Sequence, residues 1–356
     1  MSDVAESPQT AWDPLPPWMT PIAATLLAQR ARWPHALLVT GPGGIGKRLL
    51  ALHLARALLC EAPQPDGSAC GSCPACNWVE RGTHPDLRLL EPFTYDDEGN
   101  AVATDAITVD AVRDLIDFAL LSSHRGGWKI AVIAPADAMN AAAANALLKT
   151  LEEPPPRTSI VLVSSRPGRL PATIVSRCQH VALPMPDAAT ASAWLAHQDV
   201  EESALLLAHA GGAPLRAKLL AAPGTQRIRA WLLEDLARPE RMSPVAAGVR
   251  LDATPKDERK SALADVVYWL LTWTADLATV ASGGPPRFHP DRAEALRDLA
   301  QRVARVPLFR YHRALLEQRA LLGHPLQPRL VAEAMLFEYR ALFARGQQGR
   351  ASSGKM

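Results

Sequence analysis

The sequence predicts an α/β protein built on a mainly parallel sheet, followed by segments that are wholly helical. Three observations carry that expectation. ALLVT at 36–40 is a short β-prone run that enters the glycine-rich stretch GPGGIGKR at 41–48 and leaves it as a helical pattern through Leu49, Leu50, Leu54 and Leu58. KIAVIA at 129–134 and SIVLVSS at 159–165 are continuous apolar runs separated by an alanine-rich helical stretch, and strands alternating with helices at this spacing imply parallel pairing with both faces covered. After LPMPD at 183–187 the strand signal stops, and apolar residues recur at helical spacing.

The remaining elements follow in order. DLRLLEP at 86–92 reads as a strand, and a helix is predicted over 108–121, where Val109, Val112, Leu115, Ile116 and Ala119 share one face. A helix through LLKTLEE at 147–153 precedes the SIVLVSS strand. Short helices are expected over 188–222, closing on GGAPLRAKLL. Further on, Leu263, Val266, Val267, Leu270, Leu271 and Leu277 form one helical stripe, and Leu330, Met335, Leu336, Tyr339, Leu342 and Phe343 another, with SGGPPRFHP at 282–290 dividing helices between them. At 356 residues the chain exceeds one ordinary core. The expected division is an α/β core over 1–182 with a cysteine insert near 60–76, a small helical domain over 183–239, an all-helical domain over 240–344 and a disordered tail over 345–356.

Composition excludes more than it selects. With 38 basic and 36 acidic residues and a net charge of +2, any nucleic-acid contact must come from a local patch. The longest apolar run, VVYWLLTWTA at 266–275, lies between Asp265 and Asp276 and is shorter than the roughly 18 residues a membrane span needs. The first ten residues, MSDVAESPQT, carry acids where a secretory signal would be basic. The chain reads as cytoplasmic, with no membrane partner.

Gly41, Gly46 and Lys47 occupy the fixed positions of G-x-x-x-x-G-K-[ST], and with Gly43 and Gly44 they form a loop whose backbone amides can cradle phosphate while the lysine neutralises it. The last position departs from the pattern. Arg48 stands where a Ser or Thr hydroxyl would hold magnesium, and a guanidinium has no acceptor to offer a metal. Hydrolysis also needs acids at the end of the KIAVIA strand, yet that strand runs into Ala134 and Pro135. Asp137 is the nearest acid, expected to cap the helix that begins near Met139 and, in the alternative, to replace the missing acids. Nucleotide binding at this degenerate loop is doubtful on these grounds, and hydrolysis is not expected.

Cys60, Cys70, Cys73 and Cys76 form C-x9-C-x2-C-x2-C. Two tight C-x2-C steps let four thiolates close on one ion, which suits a structural Zn2+ with no open position for water; an iron-sulfur cluster is the alternative. His84 nearby reads as a packing histidine.

Three stretches now coincide: GPGGIGKR with the cysteine insert, NALLKTLEEPP at 145–155 and LPATIVSRCQ at 170–179. Together they resemble the clamp-loader branch of the AAA+ proteins over roughly residues 10–222. The resemblance implies an AAA+ P-loop sheet with a zinc-binding insert, then a helical lid, then an all-α collar for oligomerisation. It makes Arg177, in Ser176-Arg177-Cys178, an arginine finger acting in trans on ATP held by a neighbour, with Cys178 a buried thiol. It also places a polar sensor at Ser164 and Ser165 and a second sensor at Arg216. The absent hydroxyl and acids resemble the family's catalytically silent members. The implied function is a non-hydrolysing subunit of a DNA polymerase III clamp loader, partnered by the motor (gamma or tau) and delta subunits, the sliding clamp and primed DNA. An active motor ATPase using Asp137 stands as the alternative, and a nucleotide or nucleoside kinase, which shares the loop but has no use for the SRC motif, is a third reading.

Overall fold

A computed structural model describes residues 15–95, 101–104, 106–320, 322 and 327–344. The predicted tail over 345–356 lies outside them. The chain divides into two compact units, Met1–Thr190 and Ala191–Met356.

The first unit is a parallel five-stranded sheet covered by helices. Its strands are β1 (Ala36–Thr40), β2 (Leu87–Leu90), β5 (Lys129–Ile133), β6 (Thr158–Ser164) and β7 (Gln179–Ala182), in the spatial order β2-β5-β6-β1-β7. A separate antiparallel hairpin joins β3 (Phe93–Tyr95) to β4 (Ala101–Ala103). The apolar runs at 36–40, 129–134 and 159–165 become the three central strands, and β5 and β6 are buried throughout. Parallel register sets Ala36 beside Ile160 and Leu37 beside Gln179, so β1 is flanked on both sides, by β6 and by the edge strand β7.

The helices of this unit are α1 (Thr20–Leu27), α2 (Lys47–Leu59), α3 (Pro74–Glu80), α4 (Val109–Leu120), α5 (Ala141–Glu152) and α6 (Ala172–Val175). In α4, Val112, Leu115 and Ala119 are buried, and Val109 and Ile116 pack against the core that holds Val112 and Leu115. The side chain of Thr108 accepts a hydrogen bond from the Ala111 amide and caps α4. At the far end of α2, Arg30 donates to the carbonyls of Ala57 and Leu58 at 2.8 and 3.0 Å, satisfying groups that helix geometry leaves open. α7 (Ala188–Ala196) follows the sheet.

The second unit is all helix: α8 (Ser203–His209), α9 (Pro214–Leu220), α10 (Pro223–Ala237), α11 (Pro244–Asp252), α12 (Arg259–Ala281), α13 (Ala293–Ala300), α14 (Arg305–Ala320) and α15 (Pro328–Ala344). One apolar core runs through it from Ala191 to Phe343, so residues on both sides of position 240 share it. The α12 stripe is buried as expected, and Trp269 and Trp273 are buried with it. Trp273 Nε1 donates to the Tyr339 hydroxyl at 2.8 Å, which in turn donates to the Leu236 carbonyl at 2.9 Å, so two large buried rings keep their polar atoms satisfied. Leu330 departs from its predicted stripe and is 57% exposed. It precedes Met335 by five positions, which falls off the i, i+3, i+4 seam that Ala332 occupies instead. No described helix is long and apolar enough to cross a membrane.

Candidate functional site

The phosphate loop lies between β1 and α2. Gly44 and Gly46 take φ of 77° and 95°, values L side chains rarely adopt. A Cβ on Gly41 would run into the Leu183 carbonyl, so the loop's entrance has no room for one. Outside the loop, Trp18 Nε1 donates to the Ile45 carbonyl at 3.0 Å. Lys47 is buried, and its Nζ donates to the Pro42 carbonyl at 2.7 Å, inside the loop itself. The loop thus depends on glycine at 41, 44 and 46, and the Lys47 ammonium rests on its own backbone.

Arg48 is buried beside that cradle. Its Nε donates to Glu91 Oε1 at 2.7 Å and its Nη2 to Oε2 at 3.2 Å, a two-pronged pairing with a carboxylate that follows β2. A guanidinium paired in this way offers a metal no acceptor, so residue 48 cannot supply the magnesium ligand that a Ser or Thr hydroxyl would. At the end of β5, Ala134 is buried and its amide donates to the Leu90 carbonyl at 3.0 Å. Asp137 does not cap the next helix. Asn140 does, accepting from the Ala143 amide at 2.8 Å, because it is the residue immediately before α5. The Asp137 carboxylate accepts instead from Ser164 Oγ at 2.7 Å, the Ser165 amide at 3.3 Å and Arg166 Nε at 2.8 Å. The acid and the two serines thus form one cluster at the end of β6.

Arg177, the middle residue of the SRC stretch, lies between α6 and β7. Its Nη1 donates to the Thr173 carbonyl at 2.9 Å, and its Nη2 pairs with Glu152, the last residue of α5. The pair is open to solvent, with side chains 35% and 49% exposed. Cys178 beside it faces the core, and burial pushes its thiol up to about 11. In the second unit Arg216 lies over the Tyr268 ring at 5.6 Å.

The four insert cysteines converge. Their Sγ atoms all lie within 4.8 Å of one another, with Cys60 and Cys73 3.9 Å apart. Tetrahedral zinc with bonds of about 2.3 Å separates its sulfurs by about 3.8 Å. The amides of Cys70, Cys73 and Cys76 donate to the sulfurs of Cys60, Cys70 and Cys73 at 3.3, 3.4 and 3.5 Å, so the backbone already stabilises thiolate charge. The amides of Ser72 and Cys73 hold the Cys70 thiol down at about 6, while burial pushes Cys76 up to about 12. None of the four is in a disulfide, and the donor set fits a single metal ion. Arg125 anchors the insert, donating from Nε to Glu61 at 3.0 Å and lying 5.3 Å over the Trp78 ring. His84 is buried edge-on to Trp78 and accepts from the Asp86 amide at 3.0 Å, a packing role outside the cysteine group.

Glu91 and Glu152, the partners of the two arginines, carried no signal in the sequence, since neither lies in a motif that names its partner.

A glycine-rich loop leading from a strand of a parallel sheet into a helix is the arrangement of a P-loop α/β protein. Residues 24–187 match the family described as DNA polymerase III, delta subunit. The chain is 44% identical over 226 residues to the DNA polymerase III subunit delta' of Pseudomonas aeruginosa, an alignment covering 62% of this chain and 66% of that one. It is 39% identical over 195 residues to the subunit of the same name from Escherichia coli K12, covering 54% and 56%. The tau subunit of Escherichia coli K12 aligns at 35% identity over 144 residues, 40% of this chain and 20% of that one. The chain is thus similar, over less than two thirds of its length, to curated delta-prime subunits of bacterial DNA polymerase III. It spans less than two thirds of the length of the curated relatives it matches.

Proposed function

We propose that this chain is a non-hydrolysing subunit of the DNA polymerase III clamp loader, helping a ring with gamma or tau motor and delta subunits place the sliding clamp on primed DNA in the cytoplasm. The observation that carries the reading is the Arg48–Glu91 pairing, which commits to a salt bridge the residue that in a working loop supplies a hydroxyl. Any nucleotide held by the loop would bind without the magnesium ligand and acids that hydrolysis requires.

Arg177 has the complementary role. An arginine reaching a neighbour's ATP stabilises the charge that spreads over the transferring phosphoryl oxygens. Its solvent-open pairing with Glu152 leaves it able to exchange that carboxylate for phosphate, since an exposed ion pair is worth only about 0–1 kcal/mol. The motor alternative, with Asp137 in place of the lost acids, is disfavoured because both carboxylate oxygens already serve Ser164, Ser165 and Arg166. Cys60, Cys70, Cys73 and Cys76 would hold one structural Zn2+, whose chemistry is to fix the insert's fold. The helices over 240–344 would supply the ring contacts. Mixing the chain with purified motor and delta subunits and determining size and mass tests the reading: a defined ring is expected, and a chain that stays apart from both contradicts it.

A further inference from the structure

Outside the cysteine insert, the second unit brings together His209 at the end of α8, His289 in the loop before α13, and Asp291 two residues on. One ligand atom from each lies within 4.8 Å of the others. Both histidines are fully buried, and each has one ring nitrogen satisfied and the other bare. His209 Nδ1 lies 2.6 Å from the Phe288 carbonyl, an acceptor, so this nitrogen carries the proton and Nε2 presents a lone pair. His289 Nε2 lies 3.1 Å from Thr272 Oγ1. That hydroxyl spends its own hydrogen on the carbonyls of Tyr268 and Trp269, at 3.0 and 3.2 Å, and therefore accepts from His289. His289 Nδ1 is left as the second lone pair, and neither it nor His209 Nε2 has a hydrogen-bond partner. Two buried acceptors with no donor are costly to fold around nothing.

Asp291 is oriented to match. Its Oδ1 lies 3.9 Å from His209 Nε2, while Oδ2 faces Arg229 at 3.2 Å and Arg292 at 3.7 Å. The arginines thus load one oxygen and leave the other toward the histidines. A tetrahedral ion with bonds of about 2.0–2.1 Å separates its ligand atoms by about 3.4 Å, within a small side-chain adjustment of the distance observed. The loop is held in place independently: Asp276 of α12 accepts from the amides of Arg287, Phe288 and His289 at 2.8, 2.8 and 2.7 Å. Backbone and hydroxyl partners that fix the tautomer and orientation of a ligating histidine are what metal sites require around their ligands.

We propose that His209, His289 and Asp291 form a second, thiolate-free binding site for a divalent transition ion such as Zn2+, tying the loop before α13 to α8 and α12. A set of two imidazoles and one carboxylate suits zinc and its first-row neighbours and leaves a coordination position for water on the side where Asp291 meets solvent.

The test uses the full chain with its cysteine site already loaded with zinc. Cobalt is titrated in and followed by visible absorption and calorimetry. A second equivalent is expected, giving the d–d bands of a nitrogen and oxygen site without the sulfur-to-cobalt charge transfer that a thiolate site shows. Asp291→Asn, at a partly exposed position, and His209→Gln should each weaken this second binding at least about tenfold, with the far-ultraviolet circular dichroism of Asp291→Asn unchanged. If His209→Gln does not fold, Asp291→Asn alone decides. Saturation without a second equivalent, a spectrum carrying only thiolate transitions, or unchanged affinity in Asp291→Asn overturns the site, as does a high-resolution structure of zinc-soaked protein with only a water between the two histidines.

Discussion

Two arginine–glutamate pairs in the first unit use the same chemistry to opposite ends. Arg48 and Glu91 are 10% and 22% exposed and meet through two parallel hydrogen bonds. Arg177 and Glu152 are 35% and 49% exposed and meet through one guanidinium nitrogen. Water decides the difference. Removing one partner of a buried pair strands a desolvated charge and costs about 3–5 kcal/mol, while an exposed pair is screened and worth about 0–1 kcal/mol. The first pair is therefore a permanent part of the fold, and the second is a resting position that a stronger anion can displace. One residue after the loop lysine, the arginine is committed to a buried pair; at the SRC stretch, the arginine's pair is open to solvent.

The comparison can be broken in steps. The largest effect is expected from the metal, since α2 begins with Lys47 and Arg48 and ends at Cys60, the first thiolate. Zinc bound by four thiolates contributes on the order of 10–16 kcal/mol in small zinc-binding peptides. Chelation should disorder the segment near 60–76 while β1, β5 and β6, buried by their own apolar residues, keep the sheet and the Arg48–Glu91 pair. Amide hydrogen exchange with and without chelator reads both regions; loss of protection in β5 and β6 would show that the lock depends on the insert. Elemental analysis should find zinc in protein made without chelators, and iron with visible absorption would replace zinc by a cluster.

A smaller loss is expected from Glu91→Ala. Because Glu91 retains some solvent contact, the destabilisation should be about 2–4 kcal/mol, below the fully buried limit. Urea unfolding measures it, and a change under about 0.5 kcal/mol, the range of ordinary surface substitutions, would mean the pair is not a lock. The smallest effect belongs to Glu152→Ala, expected to change stability by no more than about 1 kcal/mol. A loss equal to that of Glu91→Ala would erase the distinction between the two pairs.

Much of this was legible in the sequence, and the parts that were not share a cause. ALLVT became β1 without adjustment because a strand buried along its length leaves an uninterrupted apolar run. β7 was invisible, since of Gln179–Ala182 only Val181 is buried and no period forms. The cysteine spacing announced its convergence because all four ligands lie in one short segment. Glu91 lies 43 positions from Arg48, and His289 lies 80 positions from His209, so these partners meet only after the chain has folded. Asp137 misled for a local reason: it stands three residues before Asn140, and two capping-type residues so close together give no sequence basis for choosing which one the helix uses.

The central proposal is that the chain's own loop does not hydrolyse while Arg177 acts on ATP held by a neighbour. Turnover of ATP by a reconstituted ring, stimulated by clamp and primed DNA, tests it with three versions of this chain: wild type, Lys47→Ala and Arg177→Ala, each confirmed by mass to be in the ring. A finger is worth roughly a thousandfold to a hundred-thousandfold at the interface it serves. Arg177→Ala should therefore remove that interface's share of turnover and slow clamp loading, while Lys47→Ala should leave turnover at the wild-type rate. Turnover that falls with Lys47→Ala and stays at the wild-type rate with Arg177→Ala would contradict both halves of the proposal.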